Sequence, residues 1–132
     1  MNGGDRSLSL GYSPCPNDTS LFYALVHGQL PQAPPFDEVL EDIETLNGMA
    51  SREELDVVKI SFHALGHFLD RYCLLHSGGA LGRGCGPLVV AAKEMDPGDL
   101  ASTCIAIPGR LTTAALLLRL FLPGERELVE IP

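Results

Sequence analysis

Basic residues are scarce in this chain: nine lysines and arginines stand against seventeen acidic residues, a formal charge of −8 over 132 residues. Such a balance repels a phosphate backbone, and no basic stripe offsets it, so a nucleic-acid partner is not expected. Long apolar runs are missing too. None approaches the roughly 20 residues that span a bilayer, and the stretch from Ala114 to Leu118 is cut by Arg119 and suits a buried helix. The first six residues, Met1-Asn2-Gly3-Gly4-Asp5-Arg6, open no apolar signal core, which argues against a secretory leader. Cytoplasmic location and no membrane insertion are the resulting expectations. Cys15, Cys73, Cys85 and Cys104 form no Cys-x-x-Cys pair, so neither a zinc ribbon nor a redox motif is supported. Reduced thiols are expected, with Cys73 and Cys104 as small core residues. Internal repeats, low-complexity tracts and an interdomain linker are absent as well.

What is present is a chain with 45% hydrophobic and 20% charged residues, ordinary for one globular domain with a limited core. Leu8, Leu10 and Tyr12 alternate with Ser7, Ser9 and Gly11, the period of a strand, which Pro14 and Pro16 end. Asn17 or Asp18 can cap a following helix that carries Leu21, Phe22, Leu25 and Val26 and stops at Gly28. A loop over 31–35 leads to a short strand at 36–40. Ile43, Leu46, Met49 and Ala50 then recur at helical spacing behind an acidic start. The β-branched segment 55–60 predicts a buried strand, and 62–70 a helix with Leu65, Phe68 and Leu69 inward. Further strands are predicted at 72–75, 88–92, 103–107 and 128–131, with a helix from about 112 to 122. Strands alternating with helices define an α/β domain with a mixed, largely parallel sheet flanked by helices.

Four segments fall where strands hand over to helices, the sheet edge at which α/β proteins bind ligands. Ser13-Pro14-Cys15-Pro16-Asn17-Asp18-Thr19 gathers hydrogen-bonding groups in a proline-stiffened loop, and reads equally as a capped helix start. Residues 77–87 hold five glycines within nine positions, but no Gly-Lys-Ser/Thr ends the segment, and Ala80 and Pro87 break G-x-G-x-x-G. It serves close backbone approach to a ligand or only special backbone angles, with Arg83 either a carboxylate clamp or a solvated charge. Pro108-Gly109-Arg110-Leu111-Thr112-Thr113 offers two hydroxyls beside the free amides of a helix start, an anion-binding arrangement that simple capping half explains. Lys59-Ile60-Ser61 ends a buried strand on the same edge. His63 and His67 are four apart, as two metal ligands would be, but no third ligand is evident and no metal is expected. His76 borders the glycine loop, and no histidine has a visible triad partner.

Taken together, residues 13–19, 77–84 and 108–114 resemble the 1,4-dihydroxy-6-naphthoate synthase family, as do 24–28 and 40–47, in register from about Ser7 onward. The resemblance implies conversion of cyclic dehypoxanthine futalosine to 1,4-dihydroxy-6-naphthoate in menaquinone biosynthesis, a lyase-type reaction needing no metal or organic cofactor. It implies a fold like the two-lobed periplasmic-binding proteins of type II, with residues 1–132 as a single lobe. It places Lys59, Ile60, Ser61, Thr112 and Thr113 at a small carboxylate substrate, joined on the loop reading by Ser13 and Asn17. The histidine proposed as the family's base belongs to the second lobe and matches none of His27, His63, His67 or His76. Turnover would then need a second-lobe chain. A non-catalytic carboxylate-binding module and a self-associating fragment are the alternatives.

Overall fold

The computed structural model describes residues 6–131. Its first sheet is built on β1 (Leu8–Tyr12), which pairs in parallel with β2 (Phe36–Leu40) on one side and with β3 (Val57–Val58) on the other. The registers align Leu8 with Phe36 and Leu10 with Val57. A central parallel strand is covered on both faces, and Leu10, Gly11 and Tyr12 are accordingly all buried. Gly11 is required by close packing. A Cβ at this position would lie 2.5 Å from Leu55 Cδ1 and 2.9 Å from Leu46 Cδ2. Tyr12 packs its ring 4.7 Å from that of Phe22 and donates its hydroxyl hydrogen bond to Glu38.

Helix α1 (Pro16–Val26) crosses from β1 to β2. Its N-cap is Cys15, whose side chain makes no capping bond, so neither Asn17 nor Asp18 caps it as the sequence predicts. Pro16 takes the first helical position, where its missing N–H costs nothing, and starts the helix two residues earlier than an Asn17 cap would. The acidic start expected of helix α2 (Ile43–Ser51) includes its cap: Asp42 accepts from the amides of Glu44 and Thr45. Its Ala50, with Ala64 of α3 (Phe62–Leu65) and Phe68, forms one buried cluster, against which Val58, Ile60, Tyr72 and Leu111 pack. Beyond α3 the predicted helix gives way to turns, and Leu69 faces solvent.

The strands predicted at 72–75 and 88–92 do not form, and apart from the half-buried Tyr72 both segments are exposed, Cys73 included. Their local β propensity is real, but a strand also needs a neighbour, and the glycine-dense connection brings none alongside. A short 3₁₀ turn (Asp99–Ser102) follows, then β4 (Ile105–Ile107), α4 (Thr113–Phe121) and β5 (Leu128–Glu130). β4 and β5 pair in parallel as a second sheet, with Ile105 opposite Leu128. Cys104 precedes β4 and is exposed, not a core residue. Instead of one mixed sheet, the described residues thus form two wholly parallel ones. The second has its own buried cluster of Ile107, Ala115 and Leu118.

Candidate functional site at the ends of the first and third strands

The chain leaves β1 at Tyr12 and β3 at Val58, so Ser13 and Lys59 emerge on the same carboxyl edge of the sheet. Asp18, in the first turn of α1, meets both. It forms an ion pair with Lys59 through Oδ1 and accepts from Ser13 Oγ through Oδ2 at 2.7 Å. Ser13 Oγ also lies 3.0 Å from Cys15 Sγ. Asp18 is 2% exposed. Burial alone would raise its pKa, but the hydrogen bonds from the Lys59 ammonium and the Ser13 hydroxyl outweigh it and hold the carboxyl below its usual range.

Two residues beyond Lys59, Ser61 enters a second network with Asn47 of α2. The Ser61 N–H donates to Asn47 Oδ1 and the Asn47 amide donates to Ser61 Oγ, each at 3.1 Å. Ser61 Oγ in turn donates to the Leu111 carbonyl at 2.5 Å. The same Asn47 amide donates to Glu44 Oε2, and Glu44 Oε1 accepts from the Leu111 N–H at 3.3 Å. His63 Nδ1 lies 3.2 Å from the Thr112 carbonyl. The 109–112 loop ahead of α4 is thus fastened to α2 and to the end of β3. Gly109 makes this approach feasible, because a Cβ there would sit 2.2 Å from Glu44 Cδ.

The structure brings Ser13, Lys59 and Ser61 to one edge, and the 109–112 loop comes to that edge through Ser61. Thr112 is buried, and its hydroxyl donates to the Gly109 carbonyl at 2.7 Å and accepts from the Ala115 N–H at 3.2 Å. It is the N-cap of α4, so its hydroxyl is already engaged. Thr113 opens the helix and is half-buried. Ile60 packs its side chain into the Ala50–Ala64–Phe68 cluster, which leaves its backbone as the part available to a ligand. Asn17 is exposed on α1 and takes no part in either network, the inward position of that turn belonging to Asp18.

Asn47 and Glu44 are additions that sequence reasoning missed. Asn47 had a signal, since it interrupts the inward stripe of Ile43, Leu46 and Ala50, where a polar residue must find buried partners. Glu44 had none, reading only as an acidic helix start. Two hollows elsewhere on the surface, one beside Leu25, Pro31 and Phe36 and one beside Arg110, Arg119 and Arg126, include none of the site residues. The network geometry therefore marks the site better than surface shape does: its polar groups bond to one another and close it. Among the described residues no group of three metal-ligating side chains gathers, and no helix is long and apolar enough to cross a membrane.

Parallel strands flanked by helices, with polar exits gathered on one sheet edge, define an α/β protein. The chain belongs to the menaquinone biosynthesis family, whose model matches residues 8–132. It is 49% identical over 131 residues to the 1,4-dihydroxy-6-naphtoate synthase of Streptomyces coelicolor, covering 96% of this chain and 46% of the relative. With the enzyme of the same name from Thermus thermophilus it shares 52% identity over 119 residues, 90% of this chain and 43% of the relative. A crystal structure of an Archaeoglobus fulgidus protein superposes over the whole chain with a TM-score of 0.87 at 39% identity, and 48% of that protein is covered. The chain spans less than half the length of the relatives it matches.

Proposed function

We propose that the chain supplies the substrate-recognition part of a 1,4-dihydroxy-6-naphthoate synthase, acting on cyclic dehypoxanthine futalosine in the futalosine route to menaquinone. The observation that carries the reading is identity of about half over nearly the whole chain to two relatives of that name. In this proposal Lys59 supplies positive charge toward a substrate carboxylate, and Ser61, the Ile60 backbone and Thr113 supply neutral hydrogen bonds. Ser13 holds Asp18, which orients Lys59. Thr112 positions the start of α4 by capping it, and Asn17 borders the loop. The base for a lyase-type proton abstraction comes from outside these residues, through a second polypeptide region that completes the site.

The overall form is that of a two-lobed solute-binding protein in the cytoplasm. The two separate buried clusters support a division between the two sheets, in place of one lobe spanning 1–132. The site then lies between the units, where the 109–112 loop meets Ser61 and Asn47. Incubating the purified chain with cyclic dehypoxanthine futalosine, while following naphthoate by chromatography and binding by calorimetry, tests the reading. Binding without product is the expected result. Absence of binding, alone and with the missing half of a relative added, would overturn it, and product from the chain alone would place the base within these residues.

A further inference from the structure

One carboxylate of the protein itself occupies donors at the junction of α2 and the 109–112 loop. Glu44, in the first turn of α2, takes the Asn47 amide on Oε2 at 3.1 Å and the Leu111 N–H on Oε1 at 3.3 Å. Its carboxyl lies over the bare Cα of Gly109, where a Cβ would come within 2.4 Å of Oε2. A backbone N–H, a side-chain amide and a gap with no side chain form a seat suited to a carboxylate. Asn47 is fully buried, so its amide needs an acceptor at all times, whether protein or ligand. Glu44 is only half-buried, and so has solvent to move into.

We propose that Glu44 is a resident competitor: its carboxylate holds the seat formed by Asn47, Gly109 and Leu111, and a carboxylate ligand binds by displacing it. This deepens the functional reading above and rests on it. While Glu44 is seated, the 109–112 loop stays fastened to α2, and the site is closed without ligand. Displacement transfers the Leu111 N–H and the Asn47 amide from Glu44 to the ligand, with no buried donor left unsatisfied at either stage. The seat thereby selects for ligands that carry a full negative charge, because a neutral group competes poorly with a charged acceptor for the same donors.

The test is calorimetric titration of the chain and of its Glu44→Gln and Glu44→Asp variants under anaerobic conditions. The probes are 1,4-dihydroxy-6-naphthoate and its neutral carboxamide, with thermal melting to confirm folding. Glu44→Gln should tighten naphthoate binding about five- to tenfold, the size of one charge repulsion across a few ångströms of partly solvated protein. Glu44→Asp, which retracts the carboxylate by one methylene, should shift affinity in the same direction. Carboxamide binding should stay within about twofold. Unchanged or weaker naphthoate binding in either folded variant would overturn the proposal, as would an equal gain for the carboxamide. If no form binds either probe, alone or with the missing half of a relative added, the functional reading itself fails and the proposal falls with it.

Discussion

Asp18 and Lys59 form a salt bridge that ties the first turn of α1 to the exit of β3, with side chains only 3% and 22% exposed. Asp18 accepts a second bond from Ser13 at the exit of β1, so one carboxylate joins three elements at the sheet edge.

Removing one partner of such a pair leaves an uncompensated buried charge, which costs about 3–5 kcal/mol. Lys59→Met should therefore lower the urea midpoint strongly. Asp18→Asn in the Lys59→Met background should recover much of the loss, because the orphaned charge goes with it. A loss in the double variant equal to the sum of the two single losses would show that the pair is not coupled.

The same bonds set a pH dependence. Asp18 is held below its ordinary pKa, so its stabilising effect is complete above the unfolded-state value and is lost as pH falls through the depressed one. Asp42, the cap of α2, is lowered mainly by its bonds to Thr45 and acts in the same sense. Acid should destabilise the chain progressively below about pH 4, the ordinary range of an aspartate. Asp18→Asn should flatten that slope in urea melts recorded between neutral and acid pH. An unchanged slope would remove Asp18 from the account.

Thr112 and Thr113 should separate stability from binding. Thr112→Val loses the cap on α4 and should cost about 1 kcal/mol of unfolding free energy. Thr113→Val should stay within about 0.5 kcal/mol of the parent chain and weaken naphthoate binding instead. Calorimetry and urea melts on the two variants check both halves of this expectation.

Gly109→Ala should destabilise the chain, because its new Cβ meets the Glu44 carboxyl. Adding Glu44→Ala removes the obstacle and should restore part of the loss. The residual deficit reports the cost of Gly109's positive φ of 156° to a residue with a side chain. A double-mutant cycle with no coupling would show that Glu44 does not rest on this glycine.

Most of the elements could be read from their own periodicity. β1, β2, α2 and α4 fall close to their predicted places because alternation, an aspartate cap or an apolar stripe encodes each locally. The failures came where structure depends on neighbours. Leu88, Val89 and Val90 look like a buried strand, yet lie exposed beside no pairing partner. That Ser13, Lys59 and Ser61 share one sheet edge was legible because each follows a strand. Asp18 and Asn17 read alike as helix caps, and only the packed helix shows that Asp18 is the one turned inward. Glu44 reaches the 109–112 loop through Leu111, 67 residues away, a contact that no local pattern announces.

The central position of β1 also sets a timetable for synthesis. Ser7 meets Pro35 across 28 residues, and Ser9 meets Asp56 across 47. β1 therefore leaves the ribosome before either of the two strands that flank it. At roughly 5–20 residues per second, translation leaves it unpaired for several seconds before its second neighbour emerges. Leu10 and Tyr12, buried in the finished fold, spend that interval without the strands that will flank them.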